Sequence, residues 1–313
     1  MLSRTADNLF WLSRYVERAD FVARILDATI RLASLPTSYG GRRNEWEGAL
    51  ASAGDSEEFQ RLYPAIEERT VRDFLAFSPN NPSSIRNCIE VARENARSVR
   101  TALTIEMWET INGAWLELKR FDGADMNQEQ FARFLDWVKG VSLAFDGSAY
   151  RTMLRNDAFW FTRLGTAIER ADNTARILDV KYHVLLPETE RVGGSLDYFQ
   201  WTTILREVAA LTAYRWVYRQ SVKPWLVADL LILNPQLPRS LANCYELLSR
   251  HLDLIADSYG RRGPSQRLAG GMRARLSADR IERIFEGGLH EFIEEFILEN
   301  NRLGSAIADQ YLV

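Results

Sequence analysis

Apolar residues recur at spacings of three and four along almost the whole of this 313-residue chain. That spacing places them on one face of an α-helix. The few strand-like runs, such as "LLIL" at 230–233, lie inside longer helical patterns. Clusters of turn residues separate the helical stretches, as in "PTSYGG" at 36–41, "SPNNPSS" at 78–84 and "LPETERVGGS" at 186–195. The pattern therefore predicts an all-α protein, built as a multi-helix bundle.

Two phrases of the sequence occur twice. "ERADFVARILD" at 17–27 returns as "ERADNTARILD" at 169–179, with nine of eleven positions identical and an offset of 152. "SPNNPSSIRNC" at 78–88 matches "NPQLPRSLANC" at 234–244 at an offset of 156. Two independent matches at nearly one offset predict an internal duplication. We expect halves 1–155 and 156–313, packed as one compact unit about a pseudo-twofold axis.

The charged residues of the repeated phrase fall on one side of the predicted helix. With roughly 100° of rotation per residue, Glu17 and Asp20 lie opposite the apolar arc, and Glu169 and Asp172 repeat this arrangement. A solvent-exposed face with ion pairs worth ~0.2–0.5 kcal/mol each would account for the pattern. A polar groove shared by the two halves would also account for it, because the charged positions repeat as faithfully as the apolar ones. Both interpretations remain open at this point.

A second helix places polar residues on an apolar face. The sequence predicts one helix over 85–112, whose apolar arc includes Asn95 and Glu106, whereas Glu94 lies on its polar side. A carboxylate on a core face needs a cation or hydrogen-bond donors, or else its pKa rises. Glu106 is therefore interpreted either as a buried partner of Arg18 or Arg170, or as a functional carboxylate.

Composition excludes several classes of function. The formal net charge of −3 lacks the clustered Lys and Arg that nucleic-acid binding requires. The sequence contains no run of 18 apolar residues, and arginines interrupt the apolar stretch at the N-terminus, so neither a membrane span nor a signal peptide is expected. Two cysteines and three scattered histidines offer no metal-ligand spacing. We expect a cytoplasmic protein without a metal or a cofactor.

Five blocks of the sequence together carry a resemblance to a known family. They are "MLSRTADNLFWLSRYVERAD", "ARENARSVRTALTIEMWETIN", "LGTAIERADNTARILDVKY", "VGGSLDYFQWTTILREVAALTAYRW" and "NPQLPRSLANC". In this order they resemble the blocks of the alpha-E family of bacterial proteins. The resemblance covers essentially the whole chain and implies an all-helical fold. It also implies a gene neighbour of the ATP-grasp amide or peptide ligase type, and a role in making or modifying a peptide or glutamyl-type compound. Its glutamate-bearing blocks contain Glu17, Glu94, Glu106 and Glu169.

Three hypotheses of function follow. In the first, the chain is a partner or co-catalyst of an ATP-grasp ligase and its Glu/Arg groove holds an amino-acid or peptide ligand. In the second, it is an enzyme in which Glu17, Glu106 or Glu169 acts as general acid or base, which requires a glutamate of raised pKa in a pocket. In the third, it is a structural scaffold whose glutamates are fully matched by arginines. The candidate ligand-binding residues are Arg14, Arg18, Asp20, Glu94, Asn95, Arg170 and Asp172.

An aromatic-rich segment, residues 198–225, covers more than one helix face. Part of it must therefore pack in the core or be offered to a partner protein, and core packing is the favoured interpretation.

Overall fold

The computed structural model describes residues 1–34, 45–54, 56–121, 123–183 and 194–312. Every regular element within these ranges is helical and they contain no β-strand, which confirms the all-α prediction. The "LLIL" run lies inside a helix, as expected. The predicted turn at 36–41 and nearly all of the one at 186–195 lie outside the described residues.

The helices before residue 157 begin with one that spans 31 residues. They are α1 Ser3–Ala33, α2 Glu45–Ala53, α3 Ser56–Leu62, α4 Glu68–Ala76, α5 Ile85–Ser98, α6 Ile105–Leu118 and α7 Gln128–Thr152, with short 3₁₀ turns at Arg100–Ala102 and Gly123–Asp125.

The helices after residue 156 also begin with a long one. They are α8 Asp157–His183, α9 Ser195–Glu207, α10 Leu211–Tyr218, α11 Pro224–Ile232, α12 Leu241–Tyr259, α13 Pro264–Ala278, α14 Ile281–Gly287 and α15 Leu289–Ile307, followed by a π-helical turn at Ala308–Leu312. None of the described helices combines the length and the apolar composition that a bilayer crossing needs.

Helices α1 and α8 form the centre of the molecule. They pack on each other, α1 also packs on α5 and α7, and α8 also packs on α12 and α15. Because neighbours surround α1, its buried residues lie on most of its circumference and include Ser13, Glu17 and Asp20. The two helices come unusually close at Gly165, where a Cβ atom would lie 2.1 Å from the carbonyl oxygen of Phe10. Glycine at this position therefore permits direct backbone contact between α1 and α8.

The prediction of a single helix over 85–112 is wrong. Helix α5 ends at Ser98, and α6 starts after Thr104, whose hydroxyl accepts a hydrogen bond from the Met107 amide at 3.4 Å. Threonine at this N-cap position satisfies one of the free amides of the first turn of α6. The break rotates Glu106 away from the core, so this side chain is exposed in the first turn, where the helix dipole favours a carboxylate.

Candidate functional site

Glu17 lies in a buried ion cluster that crosses from α1 to α8. Its carboxylate receives two hydrogen bonds from Arg170, from Nε at 3.0 Å and from Nη2 at 2.8 Å. Arg239, in the segment before α12, adds a third from Nη1 at 2.7 Å and reaches the Oδ2 of Asp20 with Nη2 at 2.8 Å. The Glu17 side chain is only 3% exposed. We call Glu17, Asp20, Arg24, Arg170 and Arg239 the first cluster.

Glu169 occupies a corresponding cluster with the roles of the helices exchanged. Its carboxylate lies 2.7 Å from Nε of Arg14 and 2.6 Å from Nε of Arg18, both of them on α1. A second, longer bond of 3.2 Å joins Nη2 of Arg18 to Oε2. One turn further along α8, Asp172 accepts a hydrogen bond from Nε of Arg176 at 2.6 Å. Arg14, Arg18, Glu169, Asp172 and Arg176 form the second cluster.

The two clusters bring together most of the predicted site residues. The solvent-exposed interpretation of the repeated charged face is wrong, because Glu17, Asp20 and Glu169 are buried. Asp20 and Asp172 each direct one carboxylate oxygen, Oδ1, into the interior with no hydrogen-bond partner among the described residues. In the first cluster Arg24 bonds Asp20 at 2.7 Å and also donates from Nη1 to the Glu207 carbonyl at 3.1 Å.

Three predicted site residues lie elsewhere. Glu94 and Glu106 are exposed, on α5 and α6, and Asn95 is half-buried on α5. The expected burial of Glu106 against Arg18 or Arg170 is therefore wrong, because those arginines bind Glu169 and Glu17 instead.

The arginines hold both cluster glutamates in the ionised state. Burial by itself would raise the pKa of Glu17, but the charges of Arg170 and Arg239 outweigh burial and bring that pKa down to about 2. Arg18 and Arg14 overcome burial in the same way and lower the pKa of Glu169. A carboxylate that stays charged and accepts several arginine hydrogen bonds is a poor proton carrier at neutral pH. This arrangement favours fixing the two helices relative to each other.

Arg239 and Glu207 were not predicted from the sequence. The position equivalent to Arg239 in the first repeat is Ser83, so the repeat gives no signal for an arginine there. Glu207, at the end of α9, is half-buried, and its carboxyl has no hydrogen bond or ion pair within the described ranges. Burial and the neighbouring charge of Asp27 raise the pKa of Glu207 to about 8. No sequence signal points to Glu207 either, because the neighbouring charge, Asp27, lies on α1, far from Glu207 along the chain.

We expect Glu207 to make stability fall as the pH rises. Its folded-state pKa of about 8 exceeds the ordinary value of 4.5, so between these values the folded protein binds more protons than the unfolded chain. The stabilising proton is fully bound below pH 4.5 and is lost as the pH passes 8. Chemical denaturation from pH 5 to pH 9 should show the wild type losing about 2–4 kcal/mol relative to Glu207→Gln. Glu106→Gln, at an exposed position, is the control, and parallel curves for wild type and Glu207→Gln would contradict the expectation.

Metal binding and thiol catalysis find little support in the part of the chain that the structure describes. No three His, Cys, Asp or Glu side chains there are grouped to hold a metal ion. Cys88 and Cys244 are not joined in a disulfide and lie on buried helix faces, as predicted. Burial raises the pKa of Cys244 to about 12, which keeps this thiol protonated and unreactive.

Comparison with known proteins agrees with this helical architecture. Residues 1–312 match the model of the Alpha-E family, described as a predicted alpha-helical domain with a conserved ER motif. Uncharacterised proteins of Mycobacterium bovis and Mycobacterium tuberculosis are each 22% identical to this chain over an alignment of 321 positions, which covers 94% of this chain. The aligned region spans 35% of each relative's own length. No solved structure matches the chain. Since the family model extends over nearly its whole length, the chain belongs to the Alpha-E family.

Proposed function

We propose that this chain is a helical partner of an ATP-grasp amide or peptide ligase, in a cytoplasmic pathway that makes or modifies a peptide or glutamyl-type compound. The observation that carries the proposal is an exposed surface of aromatic and basic residues on α9 to α11. The relatives add support, because the matching segment is about a third of their length and is therefore joined to other polypeptide in those proteins. Cys88 and Cys244 are not joined in a disulfide, which is compatible with a reducing compartment.

The docking surface combines exposed aromatic rings with positive charge. Trp216 is 79% exposed, and Tyr198, Phe199 and Trp225 are exposed at 40% or more. Trp201 and Tyr214 are buried instead, so the aromatic segment divides between the core and the surface. Exposed tryptophans of this kind anchor protein interfaces.

The charge of this surface indicates the chemistry of the partner. Residues 208–228 contain Arg215, Arg219 and Lys223 but no acidic residue. The Lys223 ammonium lies 5.3 Å from the centre of the Trp225 ring. A surface of this kind fits a partner that offers acidic groups around an apolar patch, and we assign that patch to the ligase.

The proposal includes two duplicated halves, 1–155 and 156–313, related by a pseudo-twofold axis. The reciprocal ion pairs support it, because adding 152 to Arg18 and subtracting 152 from Glu169 converts that pair into Arg170 and Glu17. Helix packing also corresponds, since α1 packs on α5 as α8 packs on α12, and α1 packs on α7 as α8 packs on α15.

Smaller contacts repeat between the halves as well. The Ser84 hydroxyl caps α5 by accepting from the Asn87 amide, and the Ser240 hydroxyl caps α12 by accepting from the Asn243 amide. The Tyr63 hydroxyl donates to Asp73, and the Tyr218 hydroxyl donates to Asp229. Both kinds of contact recur at offsets of 155 or 156. Such local agreement is what duplication of an ancestral helical unit would produce.

In this proposal the two Glu/Arg clusters hold the halves in one relative orientation. Buried ion pairs contribute little net stability compared with apolar packing, but an unmatched partner is costly, so they disfavour alternative registers of α1 on α8. The enzyme hypothesis requires a glutamate of raised pKa in a pocket, and it named Glu17, Glu106 and Glu169. Glu17 and Glu169 have lowered pKa values, which argues against either of them as general acid.

The docking surface can be tested with Trp216→Ala and Trp225→Ala in one chain. We expect the double variant to bind the ATP-grasp ligase encoded nearest to its gene at least about 30-fold more weakly, since buried interface tryptophans commonly contribute 2 kcal/mol or more. The affinity would be measured by surface plasmon resonance with purified proteins.

Leu143→Ala is the control for this test, because Leu143 is 66% exposed on α7, outside the proposed surface. It should leave the affinity unchanged. Wild-type chain that does not bind the ligase, or a double variant that binds as tightly as wild type, would contradict the proposal.

A further inference from the structure

We propose that the second cluster binds the carboxylate or phosphate group of a small molecule through Arg14, Arg18 and Arg176. This inference concerns ligand binding and goes beyond the docking proposal, although one of its tests uses the equivalence of the two halves. Four features of the second cluster support it: unused donors, exposure, an excess of positive charge and aromatic rings that orient the donors.

The three arginines retain many free hydrogen-bond donors. Arg14 contacts Glu169 only through Nε, and Arg176 contacts Asp172 only through Nε. Arg18 uses Nε and Nη2 on Glu169. Within the described residues, both terminal nitrogens of Arg14 and Arg176 and the Nη1 of Arg18 have no hydrogen-bond partner. Each guanidinium carries five N–H groups in a planar fork that matches a carboxylate or a phosphate.

These donors are accessible from solvent. The side chains of Arg14, Arg18 and Arg176 are 18%, 22% and 30% exposed. The arginines of the first cluster are less accessible, with 11% for Arg170 and 15% for Arg239. The second cluster therefore combines the buried carboxylate of Glu169 with partly exposed arginines, whereas the arginines of the first cluster are more enclosed.

The two halves differ at the positions that supply each glutamate with its second arginine. In the first cluster the Arg239 side chain lies against Glu17 and Asp20 and closes it. The equivalent position in the other half is Ser83, whose side chain is too short to do this. The backbone carbonyl of Ser83 lies 3.4 Å from the thiol of Cys88, on the inner face of α5. Arg14 supplies the second arginine of Glu169 instead, and its counterpart in the other half is Thr166.

Charge in the second cluster favours an anion. Three guanidinium groups face two carboxylates, and burial raises the pKa of the neighbouring Tyr15 hydroxyl, which keeps it neutral. Burial raises the pKa of Asp172 despite the charge of Arg176. Excess positive charge at a partly buried position is stabilised by a bound anion.

Aromatic rings fix the orientation of the outward-facing donors. The Arg14 guanidinium lies 4.5 Å from the centre of the Trp11 ring, and that of Arg18 lies 5.4 Å from the centre of the Tyr15 ring. Stacking of this kind covers the face of a guanidinium and leaves its N–H edge for a ligand. The arrangement suits the carboxylate of an amino acid or peptide, or a phosphate group.

Isothermal titration calorimetry at constant ionic strength tests this site with glutarate, with inorganic phosphate and with glutaramide, the uncharged analogue of glutarate. We expect glutarate or phosphate to bind the wild-type chain and glutaramide not to bind. Arg176→Gln should weaken binding of the anion at least about tenfold, because it removes one guanidinium from the outer side. The tighter of the two anions identifies the ligand as a carboxylate or a phosphate.

A matched variant makes the test specific. Arg24→Gln, the matched change in the first cluster, should leave anion affinity unchanged. Wild-type chain that binds neither anion up to about 10 mM would overturn the proposal. Glutaramide binding as tight as glutarate binding, or an Arg176→Gln variant with unchanged affinity, would also overturn it.

Discussion

Replacing Glu17 by alanine should lower the free energy of unfolding by about 3–5 kcal/mol, because it leaves Arg170 and Arg239 buried without their shared carboxylate. Urea denaturation followed by circular dichroism would measure the loss. Glu94→Ala is the control, since Glu94 belongs to another glutamate-bearing block of the sequence but is exposed, and its effect should stay within about 0.5 kcal/mol.

The free energy of unfolding that Glu17→Ala removes should also depend on pH in a defined direction. The pKa of Glu17 is lowered to about 2 from its ordinary value of 4.5, so its contribution is complete above pH 4.5 and disappears as the pH falls through 2. The difference between wild type and Glu17→Ala should therefore narrow as the pH is lowered from 5 towards 2. A Glu17→Ala variant with wild-type stability at pH 7 and a defective pathway would refute the structural role and favour a catalytic one.

Gly165→Ala should destabilise the protein by about 3 kcal/mol, although alanine is normally the better helix former. The added methyl group would lie 2.1 Å from the carbonyl oxygen of Phe10, and this backbone atom cannot move without shifting α1. Such a shift would disturb both ion clusters, because they span the same two helices. Thermal unfolding and urea denaturation would both detect it.

Gly113→Ala provides the matched control. Gly113 is exposed on α6, and a Cβ atom added there would meet no heavy atom within 4 Å. We expect that change to stabilise the protein by up to about 1 kcal/mol, because only helix propensity is altered. Equal effects of the two substitutions would show that α1 and α8 do not make close backbone contact at Gly165.

Much of the fold follows from local sequence patterns. Apolar periodicity depends only on residues within a few turns of one another, so it identified an all-helical chain. It failed over 85–112 because Thr104 can either continue a helix or cap a new one, and the pattern on both sides is helical. That error alone placed Glu106 on the wrong side of its helix.

The candidate site was predicted only in part. The repeated phrase identified Glu17, Glu169, Arg18 and Arg170, because the same residues recur there at one offset. It could not identify Arg239, since the corresponding residue is Ser83 and the contact joins residues 222 positions apart.

The sequence by itself determined that this protein is helical, that its central charged phrase occurs twice, and that it belongs with the Alpha-E proteins. Only the tertiary structure decided what the charges do. Whether a carboxylate is exposed, paired or proton-binding depends on the helices that surround it, and these come from distant parts of the chain. The packing of α1 on α8 therefore gave Glu17 two arginines and a low pKa, whereas the position of Glu207 beside Asp27 gave the opposite shift.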